Sequence, residues 1–390
     1  MMKKIKLDSA FSLFSASFLF WFSLYAFSSY LNPEMERMGA SATLMGLAGS
    51  AYGLAQLVSR LPFGLVSASS GKQKIFVCIG CAMALLSLIG MEIFYTPVGL
   101  LVFRAMQGAA AGTWVCFTVL YGSYFKKEDV PAHITTLDMV GHLGKLVCFI
   151  LLLFVTTRWG CRSSLALGIG AMAIGFLLSL TVRETNVPGQ KVTWGSIKEV
   201  IQDKNLIICT VLAALSQFVQ CGTYLSFSQN LAARLNADAA QLTGMSIILL
   251  VPTVLFNLLG NHVLVPRIGA KRTVIIGFLM GQLYCVTAPV CKSIFLLYLC
   301  QILAAGNTGL VMSQLMGLCV RDLAPEQRTA GMTIFQTLFS VGTTLGPIFV
   351  GAMADASSLH TAFLCAGFVC IAGWALALFF LKDSAKGEQA

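Results

Sequence analysis

Residues 64–74 of this 390-residue chain read GLVSASSGKQK, and they separate two long apolar runs. A related stretch at 262–272 reads HVLVPRIGAKR, with a glycine and a basic residue 198 positions after Gly71 and Lys74. The same offset of 198 relates further glycine pairs: Gly46 and Gly244, Gly108 and Gly306, Gly144 and Gly342, and Gly175 and Gly373. One such match is expected by chance, but repeated matches at one offset indicate that the chain contains two copies of one unit.

The composition places both copies in a membrane. The chain is 57% hydrophobic and 11% charged, whereas soluble domains carry about 25% charged residues. These values exclude a soluble enzyme, a DNA-binding module and a disordered scaffold. A membrane-spanning helix needs about 20 mostly apolar residues. Such runs lie at about 10–30, 42–67, 75–95, 98–124, 132–157, 163–182, 206–230, 240–265, 273–291, 293–320, 329–354 and 359–381. We therefore predict an all-α integral membrane protein with twelve transmembrane helices in two six-helix bundles related by the internal repeat.

The basic residues predict the orientation of the chain. Of the 26 Lys and Arg residues, 18 lie at the termini and in the connections on one side, 5 lie on the other side, and Arg60, Arg104 and Lys145 fall within spans. Lys and Arg accumulate on the cytoplasmic side of membrane proteins. We therefore expect a multi-pass protein of the cell inner (plasma) membrane with both termini in the cytoplasm.

A polar stretch divides the two copies. Residues 183–204 contain Pro188, Gly189 and several charged residues. We therefore predict an N-terminal six-helix bundle at 1–182, a cytoplasmic linker at 183–204 and a C-terminal six-helix bundle at 205–390. Because six is an even number, both copies enter the membrane from the same side. Parallel repeats of this kind are found in secondary transporters.

The loop at 64–74 resembles the signature loop of the major facilitator superfamily, which has two glycines, an acid and a basic cluster. The residues that match, and that the resemblance implies act in gating, are Arg60, Gly64, Gly71, Lys72 and Lys74. Ala68 stands at the position of the family's acid, and Pro266 stands there in the second copy. The loop therefore departs from the family pattern at the residue that serves as an acidic latch.

Two further stretches extend the resemblance over essentially the whole chain. Residues 104–112 read RAMQGAAAG and are similar to the Arg-x-x-x-Gly motif of the family's fourth helix. Residues 342–347 read GTTLGP and resemble the Gly-x-x-x-Gly-Pro motif that the antiporter branch has in its fifth helix. The copy at 144–149, GKLVCF, keeps only the first glycine. The resemblance is closest to the drug/proton antiporter branch and implies proton-coupled efflux of a small organic molecule by alternating access.

The fifth predicted span contains Asp138, His142 and Lys145 on one face, because they are spaced four and three residues apart. The corresponding residues of the second copy are uncharged. A helical rise of about 1.5 Å per residue puts Arg60 near the depth of Asp138, and Arg104 near the depth of Lys145. We therefore expect an Arg60–Asp138 ion pair, which leaves Arg104 and Lys145 without an acid.

A buried cation without an acid is costly in a membrane, so this arrangement predicts an anionic or amphipathic substrate. The alternatives are backbone carbonyl partners, snorkelling, deprotonation of Lys145 and a water-filled cavity. Asp138 and His142 are the candidates for proton coupling, since histidine exchanges protons near neutral pH. A static ion pair for Asp138 and a purely packing role for His142 are the alternatives.

Helices 1, 4, 7 and 10 line the central cavity of the family, and polar or aromatic residues occur on the matching spans. The resulting candidates for substrate binding, with Arg104 and Lys145, are Trp21, Tyr25, Gln107, Trp114, Gln217, Gln220, Tyr224 and Asn307. Hydrogen bonding between helices is the alternative role for each of them. Together they predict an amphipathic organic substrate.

Several chemistries are not expected. The sequence has no nucleotide-binding Gly-Lys-Ser/Thr motif, so ATP is not the direct energy source. Asp138 and His142 have no nucleophile placed with them, and we predict no enzymatic activity, catalytic residue, metal or cofactor. The expected partners are a small-molecule substrate, protons and the lipid bilayer, without nucleic acid, for a monomeric protein. Proton-coupled uptake or uniport of an organic acid, and a non-transporting membrane sensor with a transporter fold, are the alternative functions.

Overall fold

The structure is a computed structural model that describes residues 2–126, 130–185, 202–321, 323 and 328–381. All regular secondary structure within these residues is helical. The interior of the predicted linker, 186–201, lies outside the described residues.

The N-terminal half is built from six long runs of helix, with a short helix after the first and an interruption within the fourth. Its helices are α1 (Met2–Tyr25), α2 (Leu31–Arg37), α3 (Ala42–Ser70), α4 (Gln73–Ile93), α5 (Pro97–Gly112), α6 (Trp114–Gly122), α7 (Val130–Trp159) and α8 (Ser163–Thr181). Thr96 caps α5 by accepting a hydrogen bond from the Gly99 N–H, and Pro97 occupies the first turn. Both features favour a helix start at this position.

The C-terminal half repeats this arrangement with more interruptions. Its helices are α9 (Lys204–Val219), α10 (Ser228–Arg234), α11 (Ala239–Leu259), α12 (Val265–Ile268), α13 (Ala270–Thr287), α14 (Ile294–Arg321), α15 (Arg328–Ala356) and α16 (Leu359–Phe380). Segments of π-helix at Gln220–Tyr224 and Gly260–Leu264 continue α9 and α11, and a 3₁₀ turn at Ala288–Val290 follows α13. Such π segments occur often at functional sites.

Ten helical spans in the described part of the chain are long and apolar enough to cross a membrane. They correspond to predicted spans 3 to 12. The first and second predicted spans are also long helices, α1 and α3, but they are not among these ten. α3 contains Arg60 and several serines. The all-helical membrane fold is confirmed, whereas the count of twelve spans stays a prediction.

The chain divides into two compact units. The first contains Met1–Met38, Ala51–Lys191 and Asp238–Gly244, and the second contains Gly39–Ser50, Val192–Ala237 and Met245–Ala390. In the first unit, α1 packs against α7 and α8, and α4 packs against α5 and α8. In the second unit, α9 packs against α15 and α16, and α13 packs against α14 and α16. The same pattern therefore occurs in both units. The predicted domain boundaries at 182 and 205 stay predictions.

The turns before α4 and α13 show the repeat at single-residue level. Gly71 has a φ of +65° and Gly269 a φ of +88°, a region that residues with a Cβ adopt only with strain. Both glycines of the repeated loop are therefore required by the backbone.

Candidate functional site

Lys145 on α7 is the charged residue around which the candidate site is built. Its Nζ lies 4.4 Å from the ring centroid of Trp21 and 4.7 Å from that of Tyr25, both on α1. Contacts of this kind contribute about 0.5–2 kcal/mol. Within the described residues, the ion pairs closer than 4.0 Å do not include Lys145. The half-buried ammonium is therefore held by ring faces and not by a carboxylate.

Two glycines allow α1 to come this close to α7. A Cβ added at Gly141 would lie 2.7 Å from Cδ1 of Trp21, and one at Gly144 would lie 2.5 Å from the Phe18 carbonyl oxygen. Atoms cannot approach so closely without a shift of the indole or of the α1 backbone. The glycines thus bring the rings of α1 against the face of α7 that carries Lys145.

Asp138 and His142 are neighbours on the same helix. His142 Nε2 lies 3.7 Å from Asp138 Oδ2, with 49% and 64% of the two side chains exposed. The ion pairs closer than 4.0 Å among the described residues do not include the expected Arg60–Asp138 pair. Asp138 instead contacts the histidine one turn away on α7. The carboxylate and the imidazole therefore lie next to each other, and both side chains are substantially exposed.

Arg104 on α5 also lies on an aromatic ring. Its guanidinium carbon is 4.4 Å from the ring centroid of Tyr52, and Nη1 donates to Gln107 Oε1 at 2.7 Å and to the Leu24 carbonyl oxygen at 3.4 Å. These contacts are all with neutral groups. Tyr52 was not identified from the sequence, because no spacing relates it to Arg104.

Trp114 extends the aromatic surface beside Lys145. Its ring meets that of Trp21 edge to face, with centroids 5.2 Å apart and planes at 71°. Phe117 stacks on Trp114 at 5.5 Å. Trp21, Tyr25 and Trp114 are each partly exposed. We call Trp21, Tyr25, Trp114 and Phe117 the aromatic cluster.

The candidates of the C-terminal half lie in the second unit. Tyr224 and Asn307 are fully buried. Asn307 donates to the Gly277 carbonyl oxygen at 3.0 Å and accepts from Ser216 at 3.4 Å. The Tyr224 ring packs edge to face on Tyr284 at 4.7 Å. These groups occupy the contacts between helices of their own unit.

Gln217 and Gln220 are less buried than Tyr224. Both are partly exposed, and Gln217 contacts the Met312 sulfur at 3.9 Å. Gln220 is the first residue of the π-helical segment that continues α9. Among the predicted substrate-binding candidates of the second unit, these two side chains are the most exposed.

The predicted gating loop is anchored by an acid from elsewhere in the chain. Glu184, just after α8, accepts hydrogen bonds from the Gln73 N–H at 3.1 Å and the Lys74 N–H at 2.8 Å. The Lys74 ammonium donates to the Leu180 carbonyl oxygen at 2.9 Å. Glu184 therefore caps α4, and the capping is unrelated to position 68. The sequence offered no signal for it, since Glu184 is 110 residues away from Lys74.

The other loop residues make fewer contacts. Gly64 faces only the Val115 side chain, with 3.8 Å to an added Cβ. The Lys72 N–H lies 3.4 Å from Ser70 Oγ. Arg60 lies in the interior of α3 and is partly exposed. The roles of these residues and of Gly71 in gating stay predictions.

The first unit thus brings together most of the predicted charged and aromatic residues. Lys145, Trp21, Tyr25 and Trp114 form one contact network, with Asp138 and His142 following on the same helix. No group of three or more metal-ligating side chains occurs within the described residues. Such an arrangement can bind a negatively charged group and exchange protons beside it.

The chain resembles known proteins in both sequence and structure. The family model described as Major Facilitator Superfamily matches residues 13–232 and 206–390. A comparison with curated protein sequences gives no significant match.

Solved transporter structures share the fold at low sequence identity. The bacterial homolog of the human lysosomal transporter Spinster has a TM-score of 0.81 and 14% identity, covering 98% of this chain and 99% of that chain. The nucleoside transporter NupG has a TM-score of 0.76 and 16% identity, covering 97% and 100%. The xylose transporter XylE from E. coli has a TM-score of 0.73 and 13% identity, covering 99% and 100%. Because the family match spans both halves, this protein belongs to the major facilitator superfamily and is a transporter of that type, not an enzyme.

Proposed function

We propose that this protein is a secondary active transporter of a small organic anion, which it exports by alternating access in exchange for protons. The observation that carries the proposal is the position of Lys145. Its ammonium lies on the rings of Trp21 and Tyr25, and no carboxylate of the described residues lies within 4.0 Å of it.

The charge of Lys145 is costly if it lies in the interior of a membrane. Ring faces compensate an ammonium by about 0.5–2 kcal/mol, which is less than the cost of placing a charged lysine at the centre of a membrane helix, about 2.5–3.5 kcal/mol or more. A substrate carboxylate or similar group would supply the remaining compensation. An anionic substrate is therefore favoured over a neutral or cationic one.

The proton-coupling part of the proposal rests on Asp138 and His142. Both side chains are substantially exposed and lie 3.7 Å apart, and His142 precedes Lys145 by three residues. A proton that binds this pair adds positive charge near the ammonium and so favours anion binding. This linkage supports movement of proton and anion in the same direction, as in the second candidate function below. The preference for exchange rests on the motif at 342–347.

A test of coupling uses proteoliposomes with an imposed pH gradient. We expect wild-type transport to respond to the gradient and the Asp138→Asn and His142→Gln variants to lose that response while still binding substrate. Coupling through this pair is refuted if both variants keep the wild-type response.

Export is our preferred direction, because 342–347 resembles the motif of the antiporter branch. Proton-coupled uptake or uniport of an organic acid is the second candidate. It is favoured by residues 144–149, which keep only the first glycine of that motif. Transport measured in inside-out and right-side-out vesicles separates the two directions.

We further propose that the protein resides in the inner membrane as a monomer with both termini in the cytoplasm. The orientation rests on the distribution of Lys and Arg, 18 on one side and 5 on the other, and on the positive-inside rule. A C-terminal green fluorescent protein fusion should fluoresce, and a C-terminal alkaline phosphatase fusion should be inactive. The reverse result would overturn the orientation.

The substrate class can be tested before any transport assay. Ligands raise the melting temperature of the protein that binds them. In a screen of matched anionic, cationic and neutral metabolites with purified protein, we expect anions to give the largest shifts. The Lys145→Met variant should lose these shifts, and Lys145→Arg should keep them. A preference for cations would contradict the proposal.

A further inference from the structure

We propose that the preferred substrate is an aromatic monocarboxylate, in which one carboxylate stands next to a planar ring. This inference rests on the anionic substrate proposed above and narrows it. It is carried by the way the aromatic cluster adjoins Lys145 and by the comparison of the two copies of the repeat.

The distances fit a ligand with adjacent charge and ring. Lys145 Nζ lies 4.4 Å from the Trp21 ring centroid, and the centroid of Trp114 lies 5.2 Å from that of Trp21. A carboxylate that approaches the ammonium therefore places its neighbouring atoms along the indole rings. Aromatic rings pair with other rings edge to face or offset at 4.5–7 Å, which the partly exposed Trp21 and Trp114 can offer to a ligand ring.

The charges near the cluster favour a ligand with a single negative charge. The Asp138–His142 pair precedes Lys145 on α7, so an acid is already present two turns from the ammonium. A second carboxylate placed along α7 toward Asp138 would be repelled by this acid. The other cation among the substrate-binding candidates, Arg104, already donates to Gln107 and to the Leu24 carbonyl oxygen. A monoanion avoids that repulsion.

The second copy of the repeat acts as an internal control. Both halves have the same helix packing, so residues that the fold requires should recur at an offset of 198. At this offset the counterparts of Trp114 and Lys145 are Met312 and Thr343. On α9 the packing shifts the offset to 196, because Gly144 meets Phe18 and Phe22 where Gly342 meets Ala214 and Phe218. The counterparts of Trp21 and Tyr25 are therefore Gln217 and Cys221. None is aromatic or charged. The combination of rings and cation is therefore not needed to build this bundle, which indicates that it serves binding.

The experiment is isothermal titration calorimetry of the purified full chain in detergent with four probes. Phenylacetate carries one carboxylate and a ring, cyclohexylacetate lacks the aromatic system, phenylmalonate carries two carboxylates, and phenethylamine replaces the anion by a cation. We expect phenylacetate to bind roughly tenfold more tightly than cyclohexylacetate and more tightly than phenylmalonate, with no heat from phenethylamine.

Variants identify the residues responsible. Lys145→Met should abolish binding of both acids, and Lys145→Arg should retain it. Trp114→Leu should lower phenylacetate affinity to that of cyclohexylacetate, and Trp114→Phe should restore part of the difference. Trp159→Leu is the matched control, since Trp159 is 70% exposed at the end of α7, and it should bind like wild type. Size-exclusion profiles show which variants are folded.

The outcomes separate the inference from the function on which it rests. Equal affinities for the two monocarboxylates, both lost in Lys145→Met, would overturn the aromatic preference and leave the anion proposal standing. Binding of phenethylamine alone would overturn both. Absence of heat from all four probes would overturn the aromatic monocarboxylate inference.

Discussion

At the scale of single residues, the contacts of Lys145 are the feature from which the function follows. A carboxylate partner would compensate the charge of a lysine, whereas the faces of Trp21 and Tyr25 compensate it only in part and leave it able to attract an anion. The spacing of Asp138, His142 and Lys145 on one helix face was evident from the sequence. The rings that hold the lysine were not, because contacts between α1 and α7 depend on how the helices pack.

The pairing of Asp138 shows the limit of reasoning from depth alone. Depth along the membrane normal placed Arg60 level with Asp138, but it contains no information on which faces of α3 and α7 meet. The contact within α7, from Asp138 to His142 at 3.7 Å, follows from helical spacing only. Local contacts could be predicted from the sequence, and contacts between helices could not.

A glycine substitution tests the close approach of α1 and α7. Gly144→Ala should destabilise the protein by roughly 1–3 kcal/mol, because the new Cβ would overlap the Phe18 carbonyl oxygen. Gly170→Ala in α8 is the control, since an added Cβ there has no atom within 4 Å. It should be neutral or stabilising by about 0.4–1 kcal/mol. Thermal unfolding of the two variants checks this, and equal melting temperatures would refute the packing argument.

At the scale of secondary-structure elements, the first turns of α3 and α4 are each capped by an acid that is distant in sequence. Asp355 on α15 accepts hydrogen bonds from the Ala42 and Thr43 N–H groups, both at 2.8 Å. Glu184 serves the first turn of α4 in the same way. Carboxylates stabilise helix N-termini through hydrogen bonds and the helix dipole. Most helices lie near the predicted spans, whereas α1 (Met2–Tyr25) is displaced from the predicted span at 10–30. The caps connect residues that no local motif relates.

Removal of the cap at α3 should be visible in amide exchange. In Asp355→Ala, the Ala42 and Thr43 amides should exchange roughly 2- to 30-fold faster, which corresponds to about 0.5–2 kcal/mol for a lost cap. Hydrogen exchange with mass spectrometry on the purified protein measures this. As a control, amide exchange in the first turn of α4 should not change in this variant. If exchange at the start of α3 does not change either, Asp355 does not cap that helix.

Removal of the Glu184 cap should change amide exchange at the start of α4 and leave α3 unaffected. In Glu184→Ala, the Gln73 and Lys74 amides should exchange faster by a similar factor, about 2- to 30-fold, while α3 keeps its wild-type exchange. If the two variants instead change both helices alike, the effect is global destabilisation and the assignment of each acid to one helix is wrong.

At the scale of the whole molecule, composition and the repeat were sufficient for the fold class. The offset of 198 residues predicted two copies, and both units pack their helices in the same pattern. Gly71 and Gly269, which share a positive φ, mark the same turn in each copy. What differs between the copies is chemical, since the cation and the aromatic cluster occur only in the first. The repeat therefore identifies the scaffold, and the departures from the repeat identify the candidate site.

We have proposed that Lys145 binds the negative group of the transported substrate. In a counterflow assay, proteoliposomes loaded with an unlabelled anion identified by the thermal-shift screen should accumulate the labelled anion transiently. We predict accumulation by wild type and Lys145→Arg and its loss in Lys145→Met, with Trp159→Leu behaving as wild type. Undiminished counterflow of the anion by folded Lys145→Met protein would contradict the account.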